Sequence, residues 1–147
     1  MKSTPSFRKN LEERIAPLET LILDEVYFLS AADLSRLSEY LCMAKGVTES
    51  LCGGLNWAVC GDPCQLPPPG GNSLFAHELV KCYSNNDLND LNERTRQDVK
   101  GIQVWQQIEH VVVLEEIMRQ KDDPLLIQIL QRLRKGLCTQ EDKDILD

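Results

Sequence analysis

Three short stretches of this chain place reactive side chains directly after apolar runs. The first is Leu21-Ile22-Leu23-Asp24-Glu25-Val26, and the second is Trp57-Ala58-Val59-Cys60-Gly61-Asp62-Pro63-Cys64-Gln65-Leu66-Pro67-Pro68. The third runs from Val111-Val112-Val113-Leu114 to Glu116-Ile117-Met118-Arg119-Gln120. An apolar run that stops at an acid is how a buried parallel strand delivers a carboxylate to the rim of an α/β sheet. Ligands in open α/β sheets gather at the carboxyl ends of the strands, so the first two stretches point to one site. Asp24 suits a hard magnesium ion held largely through water, and Glu25 suits a base that takes a proton from attacking water. Gln65 carries a donor and an acceptor, which lets one side chain sense a terminal phosphate and a water together. Arg119 offers a planar fork for charge that develops on a phosphate.

Each of these has a plainer reading. An apolar strand ending in Asp-Glu occurs by chance, Pro67-Pro68-Pro69 could belong to a surface loop, and a lone arginine is usually a surface ion-pair residue. The second stretch is the most specific, because strand, glycine, acid and amide follow in fixed order before a stiff proline run.

The elements that must position these groups are legible from periodicity. Phe7, Leu11, Ile15 and Leu18 recur at helical spacing until Pro17 interrupts. Residues 19–24 read as a strand. Ser30 with Asp33 approximates a capping box, Leu34, Leu37 and Leu41 form a stripe continuing to Ala44, and Gly46 ends the helix. Gly53-Gly54 marks a loop, and residues 56–61 read as a second strand. The 37 residues between Asp24 and Asp62 leave room for the helix of a parallel crossover. That predicts β-α-β, with Asp24, Asp62 and Gln65 on one edge. Further on, the sequence predicts a short helix over 73–81 and a polar loop over 83–96. A helix around Gln97 to Ile108 follows, then an apolar strand at Val111–Leu114. Asp123 with Pro124 starts a helix striped by Leu126, Ile129, Leu130 and Leu133 that stops at Gly136, and Thr139 caps a last one.

Composition sets bounds. The 147 residues are 42% hydrophobic and 27% charged, as in a globular protein with a real core. No apolar run reaches a membrane span, and Met1 to Asn10 lack a signal-peptide core, so the expected location is intracellular and away from membranes. A net charge of −7 argues against a free-standing nucleic-acid binder but not against nucleic acid as the substrate of a larger protein. Basic residues gather at Lys2, Arg8, Lys9 and Arg14 and again at Arg132, Arg134 and Lys135. The six cysteines form no C-x-x-C pair and no zinc-finger spacing, so reduced thiols are expected, with Cys60 a small core residue.

Taken in order, the three stretches resemble motifs II, III and IV of the Pif-type ATP-dependent DNA helicases of superfamily one, a group that includes the helicase part of Helitron transposons. The resemblance runs from about Arg8 to the end of the chain, including the Asp-Pro helix and Arg132-Leu133-Arg134-Lys135-Gly136. It implies two RecA-like domains that hydrolyse ATP and move 5′ to 3′ along single-stranded DNA. Residues 1–108 would then be the later part of the first domain, and 109–147 the start of the second. It implies Asp24 for magnesium, Glu25 for activating water, Gln65 for coupling the γ-phosphate to DNA movement, and Arg119 for γ-phosphate contact from the second domain. Members act in DNA repair, recombination, telomere maintenance or transposition, which implies a nuclear location.

The departures are specific. Tyr27 stands where the family usually has a small serine, so crowding at the strand end is expected. Pro63-Cys64 replaces a more usual aromatic-containing pair, although RecD-type helicases also have proline there. The phosphate loop, G-x-x-x-x-G-K-[ST], does not occur, and no Gly-Lys dipeptide exists in these residues. The expected fold is therefore α/β, a partial RecA-like P-loop NTPase with a parallel sheet that lacks the phosphate-loop strand and helix. Such a chain should be inactive alone and should need missing domains or a partner to cover its sheet. The competing reading is a non-catalytic α/β remnant that serves only as a protein-interaction module. An in-frame phosphate loop encoded upstream of Met1 would separate the two.

Overall fold

A computed structural model describes residues 5–47, 50–76, 79, 81 and 91–146. It is mixed α/β, with five helices and a two-stranded parallel sheet among those residues. The chain divides into two compact units, Met1–Glu109 and His110–Asp147.

In the first unit, helix α1 (Pro5–Ile15) leads into strand β1 (Thr20–Leu23). The Lys45 ammonium donates to the carbonyls of Ala16 and Leu18 at 2.9 and 2.6 Å, which satisfies backbone left open where α1 ends. A 3₁₀ turn (Val26–Phe28) separates β1 from helix α2 (Ala31–Lys45). The start of α2 is fixed by its sequence: the Ser30 hydroxyl accepts from the Asp33 N–H at 3.2 Å and donates to the Asp33 carboxylate at 2.7 Å. It stops at Gly46, whose φ of +66° lets its N–H reach back to the Cys42 and Met43 carbonyls. The chain then returns through a 3₁₀ turn (Leu51–Gly54) to strand β2 (Asn56–Val59). The two strands are parallel and in the register Thr20↔Asn56 to Leu23↔Val59, so the expected β-α-β crossover is present.

Helix α3 (Glu93–Trp105) packs along α2 and closes the core. The two helices meet on a stripe of small residues: Gly101 lies against the Ala31 carbonyl, and the Ser35 hydroxyl donates to Gln97 at 2.8 Å. Lys100 pairs with Glu39 at 3.1 Å further along. Val26, Leu34, Leu41, Leu55, Leu74, Val99 and Ile102 form the buried centre, with Leu21, Leu23, Trp57 and Val59 leaning on it from one sheet face. On the opposite face Ile22 is 72% exposed and its register partner Ala58 is also exposed.

The second unit contains helices α4 (Pro124–Arg134) and α5 (Gln140–Leu146). Asp123 caps α4 by accepting from the Leu126 N–H at 2.9 Å, and Pro124 occupies the first turn. Thr139 caps α5 through the Asp142 N–H at 3.1 Å. Ile129 is the buried apolar residue of α4, while Leu133 remains exposed. The helices are joined by Arg132, whose guanidinium forks onto the Asp142 carboxylate, with Nε to Oδ2 at 2.8 Å and an Nη2 contact to Oδ1. Asp142 also accepts from the Thr139 N–H at 3.0 Å.

That fork holds the Asp142 carboxyl well below the usual carboxylate range. Its contribution is therefore present above the unfolded-state value of about 3.9 and erodes as pH falls towards the depressed native value. Asp142→Asn, which cannot carry the charge, should melt below the parent at pH 7, and the gap should narrow as the pH falls towards the depressed native value, measured by thermal denaturation followed by circular dichroism. An equal melting temperature at pH 7 would remove the fork from the stability of this unit.

Several sequence expectations are corrected. The Val111–Leu114 run forms no strand: its side chains are between 75% and 89% exposed and its backbone pairs with none of the described residues. It has the composition of a buried strand, but the described residues give it no strand neighbour. Helix α3 begins at Glu93 rather than near Gln97, because Asn92 caps it by accepting from the Thr95 N–H at 2.9 Å. The polar composition of residues 93–96 is thus that of a solvated helix face, and the rest of the expected 83–96 loop lies mostly outside the described residues. The expected 73–81 helix also lies partly outside them: Leu79 and Lys81 are helical as expected, whereas Leu74 and Phe75 form a turn. Gly53-Gly54 is a 3₁₀ turn rather than open loop, with Cys52 at φ +55°. Cys60 is exposed rather than buried, since it falls on the open side of the sheet just past β2. Among the described residues Cys52 is the buried thiol, and burial pushes its pKa up to about 11.

Candidate functional site

The site is built where β1 and β2 end. Because the strands are parallel and in register, their carboxyl ends open on the same edge, and pairing continues one step beyond them. The Cys60 N–H donates to the Leu23 carbonyl at 2.8 Å, and the Val26 N–H donates to the Cys60 carbonyl at 3.0 Å. Asp24 and Glu25 therefore leave β1 beside the point at which Gly61 and Asp62 leave β2. Crossover and register bring these four residues to one edge, as the apolar-run-then-acid pattern predicts.

Local geometry differs at each. Asp24 is exposed, and its Oδ1 accepts from the Glu25 N–H at 2.9 Å, leaving Oδ2 without a protein partner among the described residues. Glu25 sits at φ +52°, ψ +43°, a left-handed conformation that costs a non-glycine residue free energy and turns its side chain out to solvent. Asp62 makes a tight turn: its carboxylate accepts from the Cys64 N–H at 2.9 Å and its carbonyl from the Gln65 N–H at 3.1 Å. Gln65 is thereby fixed through its backbone next to Asp62, while its side chain is exposed. Arg119 belongs to the second unit, in an exposed turn ahead of α4.

The donor set limits what metal it could hold. No group of three or more His, Cys, Asp or Glu side chains that could hold a metal ion occurs among the described residues. One exposed carboxylate with a free oxygen fits magnesium, which keeps most of its water and takes its remaining contacts from phosphate oxygens. It does not fit a protein-caged metal.

Tyr27 crowds the strand end, as expected, and is held there by two further rings: it meets Phe75 at 5.2 Å in a tilted contact and Trp105 edge-on at 5.7 Å, while Phe75 and Trp105 meet edge-on at 5.8 Å. Gly61 passes directly beneath: a Cβ there would stand 2.8 Å from Tyr27 Cδ2 and 3.2 Å from the Val26 nitrogen. The cluster fixes how β2 exits toward Asp62. The bulky Tyr27 beside a glycine three residues before Cys64 was the available signal, but Phe75 and Trp105 are too distant in sequence to be assigned to it. Gly61→Ala is expected to cost about 1–3 kcal/mol, the range for overpacking a tight contact, and to change the near-ultraviolet circular dichroism of the three rings. An unchanged aromatic spectrum with unchanged stability would show that the exit is not held this way.

Comparison with known proteins adds a partial likeness. The chain is 30% identical over 121 residues to an ATP-dependent DNA helicase PIF1 of Candida albicans, covering 79% of this chain and 12% of that helicase. It is also 30% identical over 141 residues to the uncharacterized protein 030L of Invertebrate iridescent virus 6, covering 94% of this chain and 24% of that protein. No family model matches the chain, and no solved structure matches it. No helix among the described residues is long and apolar enough to cross a membrane. The chain thus spans about a quarter or less of the curated relatives it matches, and over most of its length it is similar to one part of a PIF1 DNA helicase.

Proposed function

We propose that these residues are the central part of an ATP-dependent DNA helicase that moves 5′ to 3′ along single-stranded DNA. The observation that carries this is the parallel register Leu23↔Val59, which sets Asp24-Glu25 and Asp62…Gln65 side by side at one carboxyl edge. The likeness to a PIF1 helicase supports it independently of geometry. In this reading Asp24 would hold the magnesium ion that accompanies ATP. Glu25 accepts the proton of the attacking water, and its exposed, outward position fits that task. Gln65 contacts the γ-phosphate and that water, relaying the nucleotide state to the DNA track. Arg119 completes the γ-phosphate contacts from the second unit, taken as the start of a second RecA-like domain after residues 1–108. Magnesium supplies charge neutralisation at the phosphates when bound.

The uncovered sheet face at Ile22 and Ala58 fits a sheet that continues inside a larger protein, since parallel sheets are usually covered on both faces. Work on DNA in repair, recombination, telomere maintenance or transposition, in the nucleus, follows as part of the same proposal.

Strand polarity tests it. A protein that joins this chain to a phosphate loop and to the remaining helicase motifs should unwind duplexes carrying a 5′ single-stranded tail and leave 3′-tailed duplexes intact. Preference for the 3′ tail would overturn the 5′-to-3′ polarity, and binding without unwinding of either would remove the helicase reading and favour an interaction module.

A further inference from the structure

Helix α3 carries a carboxylate that its own packing does not use. Asp98 is 2% exposed. Its Oδ2 accepts from the Asn72 side-chain amide at 2.8 Å, while its Oδ1 is buried with no hydrogen-bond partner among the described residues. A buried carboxylate with half its acceptor capacity idle destabilises a fold, and an apolar residue of similar shape would pack at least as well. What Asp98 contributes must therefore lie in what it holds.

It holds the far end of the segment that carries Gln65. That segment is anchored at its start by the Asp62 turn. Its middle is stiffened by Pro67, Pro68 and Pro69, whose rings fix the backbone. At its end, the Asn72 carbonyl accepts from the Ala31 N–H at 2.8 Å. Gly71, at φ +80°, lies so close to Ser30 that a Cβ would come within 2.8 Å of the serine Cβ. The segment is thus a stiff strap between two anchors, and Asp98 is the charged half of the second.

We propose that Asp98 is a positioning residue for Gln65: through Asn72 it fixes the end of the proline-stiffened strap and hence the placement of Gln65 at the sheet edge. The functional meaning rests on the reading of Gln65 as the phosphate-sensing amide. The strap is also tied by this contact to α3, the last helix of the first unit before the chain passes to the second.

Backbone ¹⁵N relaxation and amide exchange of the 147-residue chain, without nucleotide, test it in three variants. Asp98→Leu should keep or raise the melting temperature while loosening the strap. Order parameters at Gln65, Gly71 and Asn72 should fall from about 0.85 toward about 0.6, and the Ala31 amide should exchange roughly tenfold faster. Asn72→Ala, changed on the exposed strap side, should loosen the same residues, and it decides alone if Asp98→Leu fails to fold. The reciprocal exchange, Asp98→Asn with Asn72→Asp, restores a charged acceptor opposite an amide donor and should recover parental order. A strap as ordered in Asn72→Ala as in the parent, or no recovery in the reciprocal exchange, overturns the proposal. Because no nucleotide is present, a failed helicase reading leaves this result intact, and a loose strap in the parent leaves the helicase reading intact.

Discussion

Gly101→Ala is expected to unfold the first unit under conditions where the parent is folded. A Cβ at this position would stand 1.8 Å from the Ala31 carbonyl oxygen, 2.5 Å from its carbon and 2.9 Å from its Cα. The obstacle is backbone, so no rotamer change relieves it. Relief requires α3 to slide away from α2, which opens the contacts of Val99 and Ile102 with the core and separates Ser35 from Gln97. The cost should be about 3 kcal/mol or more, the upper end for overpacking, and the melting midpoint should fall by roughly 12–24 °C for a unit of this size. Thermal denaturation followed at 222 nm checks it. A shift of only a degree or two would mean that α2 and α3 do not approach as closely as this structure places them.

The same helix pair shows where sequence reading succeeded and where it stopped. The Leu34–Leu37–Leu41 stripe, the Ser30 cap and the Gly46 stop located α2, because a large apolar period and its two terminal signals are local properties. The residues on which α3 sits, Ala31 and Ser35, are small and carry no large apolar period, so the seat of α3 is not legible in the sequence. Asp98 was missed for a related reason: a buried acid on a polar helix looks like any solvated charge until its partner Asn72, 26 residues away, is brought to it. The acid-terminated strands were legible because each carries its own end signal, and the 37-residue spacing limited how they could be joined. The Val111–Leu114 strand was expected from composition alone. Strand formation needs a hydrogen-bonding neighbour as well as apolar residues, and this segment finds none among the described residues.

The second large effect concerns catalysis. Residues 1–147 on their own are expected to show no DNA-stimulated ATP hydrolysis. Asp24, Glu25 and Gln65 can act on water and on a terminal phosphate only if the triphosphate is held, and these residues contain no phosphate loop to hold it. Loss of a single arginine clamp can cost about 10³–10⁵ in phosphoryl transfer, and loss of the loop's amides and lysine should matter no less. Gln65 and Arg119 would then be idle for want of a substrate rather than for want of chemistry.

The measurement that bears most directly on the proposed role of this sheet edge is steady-state ATP hydrolysis, with and without single-stranded DNA. It is made on the chain joined to a phosphate-loop strand and helix upstream and to the remaining helicase motifs downstream, beside its Glu25→Gln variant. The joined protein should hydrolyse ATP faster when DNA is present. Glu25→Gln should keep ATP binding, since shape is preserved, and lose turnover by roughly 10²–10⁴, the usual contribution of a general base. Full turnover in Glu25→Gln would contradict the assignment of Glu25, and robust DNA-stimulated hydrolysis by residues 1–147 alone would contradict the dependence on a phosphate loop.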